Sequence, residues 1–185
     1  MEPMREYTVE NLLEAVKAGC VDDMLAILDA GHVDVNAEGK IEDDNGDEDS
    51  RTGLAYACEL GRNDAVAFLL SRDNIQVNVK CGENRKSAVM YASENGHTEV
   101  VRVLLDHGGV DINVGDINGK SAVMYANENG HAEVVRVLLD HGGVDINVVD
   151  NNGKSAVMYA SENGHTEVVR MLLDHGGVDI NAGDG

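Results

Sequence analysis

Ser87-Ala88-Val89-Met90-Tyr91-Ala92-Ser93-Glu94-Asn95-Gly96-His97-Thr98-Glu99-Val100-Val101-Arg102 returns 34 residues later from Ser121 to Arg136, with only Asn127 and Ala132 changed, and again unchanged from Ser155 to Arg170. Behind each copy stands Leu-Leu-Asp-His-Gly-Gly-Val-Asp-Ile-Asn, first as Leu104 to Asn113. A fixed period of this size builds a stack of small supersecondary units rather than a globule around one centre. Each unit has too few apolar side chains to offset the entropy of ordering its own backbone, so it needs neighbours on both flat sides.

The residues of one copy predict its local structure. Ser87 is a helix N-cap whose hydroxyl can accept a backbone N–H, and Ala88, Val89, Met90 and Ala92 form a short helix. Asn95-Gly96 ends that helix, with Gly96 free to take the left-handed conformation. A second helix runs from about Thr98 to His107, with Val100, Val101, Val103, Leu104 and Leu105 as its apolar stripe. Gly108-Gly109 stops it, and Val110, Ile112 and Val114 alternate with polar residues as in a half-buried extended segment. Asn118-Gly119 supplies two positive-φ residues for a tight hairpin.

The unit so assembled resembles the ankyrin repeat. The Ser-Ala-Val-Met-Tyr-Ala runs are a weakened form of that family's Thr-Pro-Leu-His-x-Ala signature, while Gly-His, Glu-Val-Val, Leu-Leu and Asp-Ile-Asn lie closer to its pattern. The resemblance extends upstream through Thr52-Gly53-Leu54-Ala55-Tyr56-Ala57, Phe68-Leu69-Leu70 and Val77-Asn78 to a capping repeat over 8–37. It implies an all-α repeat solenoid, a stack of helix-turn-helix units with β-hairpin loops, in a single domain over 1–185. Its repeats are 52–80, 87–114, 121–148 and 155–182, with an acidic insertion at 38–51. The family's signature histidine, which ties neighbouring repeats, is replaced by Met90, Met124 and Met158, so apolar contact is expected to take over that tie.

Composition narrows the function. Fourteen basic residues against 34 acidic ones leave a net charge of −20, which repels nucleic acid and anionic membranes and attracts basic proteins. No run approaches the length of a membrane span, and Met1 to Glu6 lacks the form of a secretory signal, which points to cytoplasm or nucleus rather than secretion. Cys20, Cys58 and Cys81 are too scattered for a disulfide framework or a zinc site; Cys81 is expected near an exposed hairpin. His97, His131 and His165, and likewise His107, His141 and His175, sit one to a repeat, too far apart to share a metal. No catalytic constellation and no cofactor motif is found. The insertion, with Glu42, Asp43, Asp44, Asp47, Glu48 and Asp49, fails the calcium-loop pattern and is expected to be an enlarged, mobile, solvated tip.

The resemblance implies a protein-binding groove made of hairpin tips and the exposed ends of the first helices. Carried over by position, its contacts are Glu59 and Leu60, then Glu94-Asn95, Glu128-Asn129 and Glu162-Asn163 on the helices. On the hairpins they are Ile117, Asn118 and Lys120, then Asn151, Asn152 and Lys154. Tyr91, Tyr125 and Tyr159 lie three residues before the glutamates and are either groove aromatics or core rings with the hydroxyl at the edge. The leading reading is a non-enzymatic module holding a basic protein or peptide, its binding weakened by salt and by charge reversal at Glu94, Glu128 and Glu162. Rival readings are a structural spacer or regulatory segment of a larger protein, and a consensus-like engineered scaffold. The last repeat keeps an undiminished apolar stripe at Val168, Val169, Met171, Leu172 and Leu173, so this end is expected to be covered, by more chain or by a partner.

Overall fold

The structure is a computed structural model that describes residues 7–42 and 48–179. Among them are ten helices and one two-stranded antiparallel sheet. In chain order they are α1 (Val9–Ala18), α2 (Val21–Asp29), β1 (Glu38–Glu42), β2 (Glu48–Thr52), α3 (Gly53–Glu59) and α4 (Asn63–Leu70). Then follow α5 (Ala88–Glu94), α6 (Thr98–His107), α7 (Ala122–Glu128), α8 (Ala132–His141), α9 (Ala156–Glu162) and α10 (Thr166–His175). The first helix of each pair packs on its counterparts, α1 on α3, α3 on α5, α5 on α7 and α7 on α9; the second helices form a parallel row behind them. One apolar cluster runs unbroken from Leu12 to Leu172. The arrangement is that of an ankyrin-type helical solenoid.

The pairs are held together by three ladders of polar bonds that cross from repeat to repeat. In the first, His97 Nε2 lies 3.0 Å from the Glu59 carbonyl oxygen, and His131 and His165 repeat the contact at 2.9 Å to the carbonyls of Glu94 and Glu128. Arg62 does the same work one repeat earlier, donating to the Lys17 carbonyl at 2.9 Å. Each carbonyl ends a first helix and lacks an intrahelical partner, so the imidazole satisfies an orphan acceptor. The ring can come so close because a glycine lies beneath it. A Cβ on Gly96 (φ +73°) would stand 2.7 Å from His131 Nδ1, and one on Gly61 2.7 Å from the His97 ring.

The second ladder uses the asparagines that close Asp-Ile-Asn at Asn113 and Asn147, Asp-Val-Asn at Asn36 and Gln-Val-Asn at Asn78. Asn113 donates its amide to the Gly143 carbonyl at 2.7 Å and accepts from the Asp145 N–H at 2.8 Å. Asn36, Asn78 and Asn147 make the same two-way bridge to their successors. The third joins neighbouring turns: Ile117 N–H donates to the Asn84 carbonyl at 3.1 Å, and Asn151 N–H to the Asn118 carbonyl at 2.8 Å. Met90 and Met124 are fully buried in the apolar layer, so inter-repeat cohesion combines apolar contact with polar ties that the histidine after each glycine supplies.

Several local expectations are corrected. The turn at Asp116–Gly119 has one positive-φ residue, Gly119, not two, because Asp116 Oδ1 accepts from both the Asn118 and the Lys120 N–H at 2.8 Å and fixes the turn itself. Val110, Ile112 and Val114 keep their alternating burial but form no strand. The hydroxyls of Ser87, Ser121 and Ser155 cap by position only. They have no hydrogen-bond partner among the described residues, although Ser87 and Ser121 stand in capping-box position, and the N–H groups of Ser87 and Ser121 donate to the sulfurs of Met90 and Met124 at 3.4 Å. Cys81 is wholly buried beside Ala55 and Tyr91, not exposed. The acidic insertion is not a solvated tip throughout: Glu38 to Glu42 pairs in register with Thr52 to Glu48. Gly39 makes this possible by lying directly on α1, where a Cβ would stand 2.8 Å from Val9 and Leu13 side-chain carbons. Asp43, Asp44 and Asp47, and the last residues of the final repeat from 180 onward, lie outside the described residues.

Gly164 (φ +73°) tests the ring-on-glycine contact by comparison, since nothing lies within 4 Å of a Cβ placed there. Gly96→Ala and Gly164→Ala share the same backbone strain, but only the first displaces an imidazole and its hydrogen bond. Gly96→Ala is expected to cost about 1 kcal/mol more than Gly164→Ala in urea unfolding; equal costs would remove the contact from the account.

Candidate protein-binding face

The residues carried over to the groove share one face, but they are not equally available. Ile117 is 55% exposed at its hairpin tip, and Asn118, Asn151 and Asn152 beside it are exposed as well. Asn95, Asn129 and Asn163 are exposed, each donating its amide at 2.9 Å to the carbonyl of Tyr91, Tyr125 or Tyr159. The tyrosines themselves are not groove aromatics. Tyr91, Tyr125 and Tyr159 are 2%, 5% and 8% exposed, and their hydroxyls point inward. Tyr91 donates to the Cys81 carbonyl at 3.2 Å; Tyr125 and Tyr159 donate to the carboxylates of Asp116 and Asp150 at 2.8 and 2.6 Å. The Asp that fixes each hairpin turn therefore also anchors the next helix's ring.

The glutamate row has its cations built in. Lys86 pairs with Glu94 at 2.6 Å, Lys120 with Glu128, and Lys154 with Glu162 at 2.6 Å, each lysine reaching across from the hairpin eight residues earlier. Arg51 plays the part for Glu59, which it grips with Nε at 2.9 Å and Nη2 at 3.1 Å while also holding Asp49. The same cations lie over tyrosine rings. Lys86 is 4.6 Å from the Tyr125 centroid, and Lys120 is 4.5 Å from Tyr125 and 4.4 Å from Tyr159. Arg51 sits 4.3 Å above Tyr91. A ladder of cation, ring and carboxylate thus runs along the face from β2 to α9. Each cation is attracted by the ring quadrupole and by its carboxylate together.

Burial sets the ionisation of these groups. Burial first, and then the neighbouring carboxylates, push the Tyr125 and Tyr159 hydroxyls well above the usual phenol range, and burial does the same at Tyr91. At Asp150 burial works to raise the carboxyl, but the bonds from Tyr159 and from the Lys154 and Asn152 N–H groups outweigh it, and it is held below the ordinary value. A phenol with a raised folded-state pKa favours the fold below its unfolded value of 10.0 and loses that contribution as pH climbs past it. Tyr91, Tyr125 and Tyr159 are expected to stay un-ionised at about pH 11 while the chain is folded, and to ionise as it unfolds. Ultraviolet titration of tyrosinate reads this directly; smooth ionisation of every tyrosine near pH 10 in folded protein would refute their placement.

Lys120 is the best-placed cation, 12% exposed between two rings. Lys120→Met keeps the stem and removes the charge, and should lower stability by about 1–2 kcal/mol. Lys154→Met, whose lysine is 39% exposed and lies 5.5 Å from its one ring, should cost clearly less in the same denaturant titration.

One larger hollow opens on this face, about 790 Å³ between the β1–β2 hairpin and the end of α3. Ile41, Tyr56 and Leu60 contribute its apolar surface; Glu42, Glu48, Asp49, Glu59 and Glu83 line it against Lys17 and Arg51. It takes in Glu59, Leu60 and Asn95 from the expected contacts and adds Glu42 and Glu48, whose hairpin has no counterpart in the other repeats, and Glu83, which stands in its turn where Ile117 stands in the next. Among the described residues no helix is long and apolar enough to cross a membrane.

Among curated proteins, none matches this chain. The family model described as ankyrin repeats (3 copies) matches residues 12–116 and 109–184, nearly the whole length. Proteins built of these repeats are generally protein–protein interaction modules and typically not enzymes. The repeat-to-repeat ladders and this match agree, and the chain belongs to the ankyrin repeat family.

Proposed function

We propose that the chain is a non-enzymatic binding module that holds a basic segment of a partner protein at the amino-terminal half of its groove face. The observation that carries the reading is the uneven supply of cations along that face. From α5 to α9 each glutamate is matched by its own hairpin lysine, so little unspent negative charge remains there. In the hollow beneath the first hairpin, Arg51 is used up by Glu59 and Asp49, and Lys17 stands as one cation against Glu42 and Glu83, which have no ion pair among the described residues. An apolar floor of Ile41, Tyr56 and Leu60 beside free carboxylates suits a Lys or Arg side chain, whose stem buries while its head stays charged. The exposed Ile117 on the adjoining tip gives the bound segment an apolar foothold further along.

A second reading, in which α5 to α10 act as a spacer, draws support from the same ladder. Three near-identical faces with internally balanced charge offer a partner little to choose between.

The two readings part on mutation. A fluorescent Lys/Arg-rich peptide is expected to bind the chain and to bind more weakly as salt rises. Glu42→Lys with Glu83→Lys should weaken it at least about fivefold, or about 1 kcal/mol. Glu128→Lys, which sets two cations side by side, should instead act on the melting temperature. Peptide binding indifferent to the Glu42/Glu83 reversal would remove the hollow from the site.

A further inference from the structure

The face of α9 and α10 that looks away from the stack is the same surface that α7 and α8 bury, and no described residue covers it. Leu173 is 51% exposed, whereas its counterparts Leu70, Leu105 and Leu139 are 7%, 4% and 6% exposed. Lys154 is 39% exposed where Lys86 and Lys120, which each lie over the ring of the next repeat, are 11% and 12%. Gly164 has nothing above it, while Gly130 carries the His165 ring.

The opposite end of the stack offers a matching form. Between α1 and α2 lies an open groove of about 530 Å³, floored by Ala15, Ala18, Ala26 and Ile27 and edged by Glu14 and Asp23. Counting back five residues from the glycine that ends each first helix puts Glu14 in α1 where Tyr91, Tyr125 and Tyr159 stand in their helices. Lys86 and Lys120 each reach forward over the tyrosine of the following repeat, so a unit stacked on α9 would bring this position up to Lys154. Asp22 stands in α2 where Glu133 stands in α8, and Glu133 meets Arg102 of the preceding repeat at 3.6 Å. Arg170 is the counterpart of Arg102 on the open face, and it is exposed.

We propose that the two ends are complementary and that a second copy of this chain docks head to tail, its α1–α2 end on the α9–α10 face. Leu173 enters the α1–α2 groove, Lys154 pairs with Glu14 of the second copy, and Arg170 pairs with its Asp22. The junction continues the established repeat interface with ion pairs in place of ring contacts. Being heterologous, it leaves a free end on each copy and grows an open chain rather than a closed dimer. The net charge of −20 opposes crowding of copies, but at about 0.15 M salt the screening length of about 8 Å confines that repulsion to the facing ends.

Sedimentation velocity on the full chain from about 1 µM to about 0.2 mM tests this. The weight-average coefficient should climb with concentration. Leu173→Glu and Ala26→Glu, both at exposed positions and checked for unchanged melting, should each hold the chain monomeric. Mixed in equal amounts, the two variants should form a dimer and nothing larger, since each retains one competent end. A wild-type chain monomeric throughout would overturn the proposal. So would association blocked by Leu173→Glu but indifferent to Ala26→Glu, which is the mark of tail-to-tail packing.

Discussion

The structure depends on an imidazole seated on a glycine. At three of the four internal interfaces the histidine that opens a second helix lies over the left-handed glycine of the repeat before it and bonds to the carbonyl that ends that repeat's first helix; at the first interface Arg62 makes the corresponding bond to the Lys17 carbonyl. Three constraints meet there: an orphan carbonyl needs a donor, the helix needs a positive-φ stop, and the neighbour needs close approach. Glycine alone serves the last two together. The contact fixes the distance and register of successive helix pairs, and the asparagine bridges and turn-to-turn bonds follow in the same register.

That register also aligns the hairpin lysines with the rings and glutamates of the first helices. A lysine eight residues before a glutamate is unremarkable in a chain; once the hairpin folds back, it lies between two tyrosines and against that carboxylate. The ladder explains how a face rich in glutamate coexists with a tightly stacked core. Each charge is compensated within the stack, and the surplus of acid falls elsewhere, including on the first hairpin. Compensation stops at Glu42 and Glu83, which have no ion pair among the described residues.

Much of the local architecture was legible in the residues. Asn95-Gly96 and Gly108-Gly109 end helices as their conformational freedom predicts, and Thr98 to His107 is the second helix its stripe announces. The interfaces were not legible, because their partners lie 37 or 38 residues apart and answer to no short spacing: His97 meets Glu59, and His131 meets Glu94. Tyr91 and its copies read more readily as core rings than as groove aromatics, and their hydroxyls bond inward to Cys81, Asp116 and Asp150, contacts that no short spacing announces. The pairing of Glu38 to Glu42 with Glu48 to Thr52 was hidden for another reason. Those strands have few β-branched residues, and they are held by the packing of Gly39 on α1 and by Arg51 between Asp49 and Glu59.

If the imidazole couples one repeat to the next, its removal must be felt on both sides. Residue-resolved hydrogen exchange on His131→Ala decides the matter. The account predicts that protection falls in α5, which ends at the carbonyl His131 occupies, as well as in α7 and α8, with α1 and α2 least affected. Loss of protection confined to the first turn of α8 would contradict it.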